Sequence, residues 1–437
     1  MKNITIIGTG YVGLVTGAGM SEFGNKVICA DIDSRKIGKL NSGLIPIYEP
    51  GLEEIIKKNF ENSRLFFSSD IESSIKKAEV VVIAVGTPQG ENGMADLRFV
   101  DSVVNTISRN LNSYKVICTK STVPIGTGKD IIKIINNNIH DKKMFDYVSN
   151  PEFLREGSAV KDFLWPDRVI IGTDSDKAYK IMCDIYRPLY INKNPIAYTS
   201  VETAEMIKYA SNSFLALKIS YINEIANLCE LLGADVHDVA NAMGKDGRIS
   251  DKFLHPGPGF GGSCFPKDLE ALLAVSKNNE LKMETVKAAI IANKNQKKRM
   301  TRKLLDLFNN NLNKCTISIL GLAFKANTND IRESASIDMI NFIIEHGGIV
   351  NAYDPIANSE MYKIFDAIEY YDNVYDSIKD TDGIVIMTEW NEFRSLDFKR
   401  IKKYMRGNII LDTRNILNMD ELSEFGFTYD NVGRIKK

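Results

Sequence analysis

The stretch Gly259-Phe260-Gly261-Gly262-Ser263-Cys264-Phe265-Pro266-Lys267-Asp268 sets one thiol among three glycines, with a cation and a carboxylate close behind. Glycine lets backbone approach a ligand closely and adopt conformations that other residues avoid. A thiol so flanked reads as a placed nucleophile. The alternative is a buried cysteine in a tight turn, the usual state of free cysteine. The choice between them rests on the elements that would position the loop.

The chain opens with a second chemical signal. Gly8-Thr9-Gly10-Tyr11-Val12-Gly13 follows the apolar run Ile4–Ile7 directly and opens a helical pattern. In such a fingerprint the first glycine permits the turn, the second lets a diphosphate touch backbone, and the third allows close helix–strand packing. The helix start supplies unpaired N–H groups and a positive dipole end for the anion. Asp31 ends the next strand, where a carboxylate can accept hydrogen bonds from ribose hydroxyls and repel a 2′-phosphate. That selects NAD over NADP, although Arg35 stands where it could meet such a phosphate. Two further strand ends point to the same crevice: Val85-Gly86-Thr87-Pro88 and Ser121-Thr122-Val123-Pro124. Each offers hydroxyls and a proline-fixed turn.

These signals sit in a chain of 437 residues, long enough for two or three domains. Hydrophobic and charged fractions of 44% and 25% are those of a soluble globular protein, and a net charge of −1 provides no field for nucleic acid or anionic membrane. Six scattered cysteines without a CxxC pair point to reduced thiols in the cytoplasm. The four histidines are far apart, so no metal site is expected. No apolar run approaches the roughly 20 residues of a membrane span, and the N-terminus lacks a signal-peptide layout.

In the first third, β-branched runs alternate with helical patterns, with strands expected at Ile4–Ile7, Lys26–Ala30, Val80–Val85, Val116–Thr119 and Tyr147–Ser149. Unbroken apolar strands between amphipathic helices require a parallel sheet covered on both faces, which right-handed crossovers make doubly wound. From Ser200 to Gly233 the pattern predicts one helix, a rod of roughly 45 Å. Its apolar residues lie nearly all round, so it is expected to be buried on most sides, between domains and against a second subunit. A second α/β unit starts near Cys315, with strands at Thr316–Leu320, Ile349–Tyr353, Gly383–Met387 and Asn408–Leu411 and a helix at Ser336–Glu345. The expected fold is therefore α/β with two Rossmann-like domains, residues 1–199 and 306–437, joined by a helical middle part, residues 200–305, that carries the cysteine loop.

Taken in order, several motifs resemble the nucleotide-sugar dehydrogenases, the UDP-glucose/GDP-mannose dehydrogenase family. They are Gly8–Gly13 continuing into Leu14-Val15-Thr16-Gly17, Tyr48-Glu49-Pro50-Gly51-Leu52, Val85–Pro88, Ser121–Pro124, Asn150 to Gly157, Glu205–Asn212, Gly259–Asp268, and Phe324-Lys325 through Arg332-Glu333-Ser334. The resemblance runs along nearly the whole chain. It implies a four-electron oxidation of the sugar C6 alcohol to a carboxylate with NAD as cofactor, while the long helix points to a homodimer. The Phe265-Pro266 pair and the Gly10–Leu14 run lean towards UDP-glucose.

An aldehyde has no second hydride to give until something adds to its carbonyl. Thiolate addition by Cys264 makes a thiohemiacetal, whose oxidation yields a thioester that water cleaves. Lys208 and Asn212, i and i+4, share one face of the long helix. The resemblance implies that they hold the substrate oxygen and stabilise oxyanions. It implies that Asp268 and the Thr122 hydroxyl position a water and that Glu152 is the base in thioester hydrolysis. Which carboxylate takes which proton stays open. It also places Thr87, Ser121, Thr122, Glu156 and Arg332 by the NAD, and Phe153, Leu154, Glu156, Phe253, Leu254 and Gly261 by the nucleotide sugar. Phe324, Lys325 and Arg414 would hold the UDP, and Arg248 would reach across a dimer interface. The rivals are a sibling acting on GDP-mannose or an N-acetylated UDP-hexosamine, a two-electron β-hydroxyacid dehydrogenase, and a non-catalytic NAD sensor.

Overall fold

The computed structural model describes residues 1–90, 93–192 and 195–434. They form two compact units, Met1–Ser211 with Glu270–Leu281, and Asn212–Leu269 with Lys282–Lys437. The helical middle part is divided between the two.

The first unit is built on a sheet ordered β3-β2-β1-β4-β5-β6-β7-β8. Its strands are β1 (Asn3–Ile7), β2 (Lys26–Ala30), β3 (Leu65–Ser68), β4 (Val80–Ile83), β5 (Lys115–Thr119), β6 (Phe145–Ser149), β7 (Val169–Gly172) and β8 (Ile196–Thr199). Neighbours are parallel except at β6 and β7, where Ser149 opposes Gly172. The run β3 to β6 has the doubly wound order, with the reversal between β1 and β4. Val80, Val81, Val82 and Ile83 are all fully buried. Val80 and Val82 face the core with Ile4 and Leu14, while Val81 and Ile83 face the one with Ile7 and Val100. A strand covered on both faces can be apolar throughout, which is why this one was legible. The expected strands β1, β2, β4, β5 and β6 are present. β3, β7 and β8 were missed; β3 is four residues long and alternates buried with half-buried positions.

The long helix spans Val201–Leu232, as predicted. The Ser200 hydroxyl accepts the Thr203 N–H at 3.3 Å, and Gly233 closes the helix at φ +72°. One stripe of it stays exposed within the chain: Phe214, Tyr221, Leu228 and Leu232 are 48 to 73% accessible.

The second unit has an all-parallel sheet ordered β11-β10-β9-β12-β13-β14. It comprises β9 (Thr316–Leu320), β10 (Ile349–Tyr353), β11 (Glu369–Tyr370), β12 (Gly383–Ile386), β13 (Ile409–Asp412) and β14 (Thr428–Asp430). The four expected strands are there, and the missed β11 and β14 are two and three residues long.

Candidate functional site

The fingerprint turn is fixed by what its glycines touch. Gly8 lies at φ +104°, and a Cβ there would come within 2.6 Å of the Ala84 carbonyl oxygen. A Cβ on Gly13 would lie 1.8 Å from the Gly8 oxygen, so only glycine lets the helix Tyr11–Glu22 start this close to β1. At Gly10 a Cβ would meet nothing within 4 Å. That open backbone, before a helix start without a side-chain cap, fits a dinucleotide diphosphate. Asp31 is held ready beside it: its Oδ2 accepts the Thr9 N–H at 2.8 Å and the Thr9 hydroxyl at 2.7 Å. Burial pushes this carboxyl up, but the Thr9 and Asp33 donors and the Lys36 ammonium outweigh that and hold it below the usual range. The cation beside Asp31 is Lys36, at 3.6 Å; Arg35 is exposed, and its N–H caps onto Asp33.

Several assigned hydroxyls brace the crevice. Thr87 donates to the Thr122 carbonyl at 2.8 Å and Ser121 to the Val85 carbonyl at 2.7 Å, cross-linking the ends of β4 and β5. Tyr11, beside the half-buried Val12, donates to Glu49. Glu49 also accepts N–H bonds at 2.7 Å from Gly157 and Ala159. Glu49 thus ties the fingerprint helix to the segment carrying Glu152, Phe153, Leu154 and Glu156. This buried carboxylate was quoted only as part of a motif; its signal was a glutamate in an otherwise apolar, turn-forming stretch.

Glu152 and Lys208 form a buried ion pair with 5% and 4% of their side chains accessible. The ammonium donates to the Glu152 carboxylate at 2.8 Å and to its backbone carbonyl at 2.7 Å, while the Leu154 N–H reaches the other carboxylate oxygen at 2.6 Å. Burial drives Glu152 upward, but Lys208 and the N–H bond prevail, and the group stays ionised below the ordinary carboxylate range. The Phe153 ring lies under the Arg168 guanidinium. One turn before Lys208, Glu205 accepts the N–H groups of Gly126 and Gly128 at 2.7 and 2.8 Å, capping the helix Thr127–Asn138. Burial pushes Glu205 up to about 7 against these two donors. Like Glu49, it stood in a quoted motif, Glu205–Asn212, with no role of its own.

In the second unit Cys264 is half-buried, and its carbonyl accepts the Asp268 N–H, the first bond of the helix Phe265–Asn278. The thiol therefore sits at the positive end of a helix dipole. Asp268 is 1% exposed and accepts from Asn212 at 2.6 Å and from Lys267 at 2.7 Å. The loop before Cys264 is packed tightly: a Cβ on Gly261 would lie 2.4 Å from the Glu333 carbonyl oxygen, and one on Gly262 2.8 Å from the Phe324 ring. Buried amides missed in the sequence hold its backbone. Asn293 bonds both the N–H and C=O of Phe260, and Gln296 and Asn223 bond Gly257. Their signal was buried amides on two mostly apolar helices, Asn293 and Gln296 on Glu284–Leu307 and Asn223 on Val201–Leu232. Phe253, at φ +66°, packs on Phe265, and Leu254 is buried.

Arg414 donates to the carbonyls of Phe324 at 2.7 Å and Met387 at 2.8 Å and pairs with Glu389, bringing it beside Lys325. Buried Asp412 accepts the N–H groups of Arg414, Ile416 and Leu417 and so fixes that turn. The exposed Arg248 and Arg332 side chains pair with Asp246 and Asp330 on their own turns, while the Arg332 carbonyl accepts the Gly262 N–H of the cysteine loop at 2.8 Å.

A doubly wound sheet with a glycine turn opening a helix after its first strand, and a carboxylate just after its second, is the architecture of an NAD-dependent dehydrogenase. Comparison with known proteins narrows the class. Residues 2–190, 202–295 and 318–419 match the NAD binding, central and UDP binding domains of the UDP-glucose/GDP-mannose dehydrogenase family. A UDP-glucose 6-dehydrogenase of Bacillus subtilis is 46% identical over 99% of this chain and 94% of its own. One from Rhizobium meliloti is 44% identical over 99% of both. The solved UDP-glucose dehydrogenase of Pyrobaculum islandicum superposes with a TM-score of 0.91 at 34% identity, over 99% of this chain and 98% of that one. The chain belongs to the UDP-glucose/GDP-mannose dehydrogenase family.

Proposed function

We propose that the protein oxidises UDP-glucose at C6 to UDP-glucuronate. The observation that carries the choice of sugar is the comparison itself: relatives named for UDP-glucose are 41 to 46% identical over nearly the whole chain. The solved UDP-N-acetyl-mannosamine dehydrogenases and GDP-mannose dehydrogenase reach only 25 to 29%. The overall change is RCH2OH + H2O + 2 NAD+ → RCOO− + 2 NADH + 3 H+. Bound NAD supplies the hydride acceptor for both oxidations. Gly8, Gly10, Gly13 and Asp31 would hold it, aided by the Thr87 and Ser121–Thr122 turns, Glu156 and Arg332.

Cys264 Sγ adds to the aldehyde carbon, and the thiohemiacetal becomes a thioester on the second oxidation. The start of the cysteine helix favours negative charge on sulfur. Lys208 and Asn212, one turn apart, donate to the sugar oxygen as charge grows on it. Glu152, ionised through the neutral range, takes the proton of the hydrolytic water, and Asp268 with Thr122 orients it. Phe324, Lys325 and Arg414 hold the UDP, joined by Phe153, Leu154, Phe253, Leu254, Gly261 and Arg248. The exposed stripe Phe214–Leu232 is covered by the same helix of a second copy, giving a cytoplasmic homodimer. The three segments 1–199, 200–305 and 306–437 keep cofactor, cysteine-loop and UDP roles.

Counting NADH per sugar tests the reading. Two per UDP-glucose are expected, and Cys264→Ser should abolish acid formation. One NADH per sugar, or faster turnover of GDP-mannose or a UDP-N-acetylhexosamine, overturns it.

A further inference from the structure

Lys120 takes no part in the chemistry above, yet it is among the most deeply buried cations of the first unit, 4% exposed. Its ammonium donates to neutral partners only, Asn150 Oδ1 at 3.1 Å and the Tyr186 hydroxyl at 3.3 Å, and among the described residues it forms no ion pair. The Phe163 and Tyr186 rings lie within about 6 Å of it (5.9 and 6.0 Å). Burying a charge without a counter-charge is unfavourable. Here burial pulls Lys120 down to about 8, with Cys118 and Glu152 favouring the cation and Lys208 opposing it. The Tyr186 hydroxyl also donates to Asn150 Oδ1 at 2.7 Å, so that oxygen would keep a partner without the lysine. A fold retains such a group where its charge is used.

What that charge touches is specific. Lys120 is the residue before Ser121-Thr122, and its own N–H is fixed to the Ile83 carbonyl at 2.9 Å. Asn150 is two residues before Glu152; its N–H bonds the Thr119 carbonyl, and its amide bonds the Ile170 carbonyl. The ammonium therefore clamps the turn after β5 to the turn after β6. We infer that Lys120 is a positioning residue for the hydrolytic step, locking the Thr122 and Glu152 turns together and placing a second positive charge behind the Glu152–Lys208 pair. This rests on Glu152 acting as the base. The charged and titratable groups facing Glu152 are Lys208 and Lys120; those facing Lys120 are Glu152, Lys208, Cys118 and Tyr186.

The test is single-turnover acid formation from UDP-glucose with saturating NAD, followed against pH by quenched flow, for Lys120→Met, Lys120→Gln and Lys120→Arg. Removing a cation that favours ionised Glu152 should move the acidic limb up by about one pH unit and slow acid formation about tenfold or more. Lys120→Gln keeps an amide donor and should shift the limb as Lys120→Met does; Lys120→Arg should restore it. The melting temperature of Lys120→Met should equal or exceed the parent's, the opposite of a merely structural lysine. An unmoved limb in both neutral variants, or lost stability with unchanged acid formation, overturns the inference. Glu152→Gln, run in parallel, separates the two readings: if it leaves rate and limb intact, the base assignment has failed. If it abolishes the limb while the Lys120 variants leave theirs in place, only the role of Lys120 has.

Discussion

Replacing Lys208 with methionine would leave Glu152 as a buried carboxylate facing the Leu154 N–H and, further off, the Lys120 charge. Removing one partner of a buried pair costs about 3–5 kcal/mol, because the survivor is desolvated without compensation. With both side chains at or below 5% accessible, solvent cannot screen the loss. Lys120 stays in place, so the lower end, about 3 kcal/mol, is expected. At about 2–4 °C per kcal/mol for a unit of this size, the first unfolding transition should fall by about 6–12 °C. Adding Glu152→Gln to Lys208→Met should recover about 2 kcal/mol or more, since the stranded charge is gone.

The pH dependence has a definite sign. In the parent, Glu152 titrates below its unfolded value of about 4.3, so its contribution is present above that pH and lost as pH falls through the folded value. In Lys208→Met the same carboxyl is pushed up by burial, and acid relieves it. The stability gap between parent and variant should therefore narrow as pH falls below about 5. Urea unfolding followed by circular dichroism over that range measures the gap. A single-variant loss under about 1 kcal/mol, or a gap that stays constant with pH, would refute a buried, coupled pair.

Three further outcomes follow from the same geometry. Asp31→Ala removes a charged acceptor for ribose hydroxyls and orphans the Thr9 donors, so NAD affinity, read by fluorescence titration, should fall about 10- to 100-fold; unchanged affinity refutes the assignment. Gly261→Ala drives a Cβ to 2.4 Å from the Glu333 carbonyl oxygen, so the variant should lose about 1–3 kcal/mol together with turnover; a normal melting temperature would show that the loop yields. Glu205→Ala strands the Gly126 and Gly128 N–H groups at a helix start and should cost about 1–2 kcal/mol, with faster amide exchange in the first turn of Thr127–Asn138; unaltered exchange there counts against the cap.

The sheets were legible where burial on both faces makes the sequence apolar throughout, as in β4, or where a glycine turn follows a strand directly, as after β1. β8 was not, because its Ala197 and Tyr198 are exposed at the sheet edge and carry no periodic signal. The long helix was legible from its caps and uninterrupted pattern. At the site, residues with recognisable reactive groups, such as Cys264, Lys208 and Glu152, stood out individually. Those that hold them did not. Glu49, Asn150, Asn293 and Asp412 act through backbone N–H and C=O groups distant in sequence, and no local spacing encodes a partner that only folding brings near.

That difference bears on how the chemistry is prepared. Around the proposed reactive groups, each carboxylate already has its donors: Lys208 and Leu154 for Glu152, Asn212 and Lys267 for Asp268, Thr9 for Asp31. Groups oriented before substrate arrives need no reorganisation as charge develops, the main source of electrostatic catalysis. Those carboxylates also compete with a substrate for the same donors, so a ligand oxygen entering near Lys208 must share an ammonium already bonded to Glu152. Lysine suits that competition, since its three protons can serve a carboxylate, a carbonyl and an incoming oxyanion together. At Lys208 two bonds already run to Glu152, one to its carboxylate and one to its backbone carbonyl, so the proposed contact with the sugar oxygen would strengthen only as charge grows there.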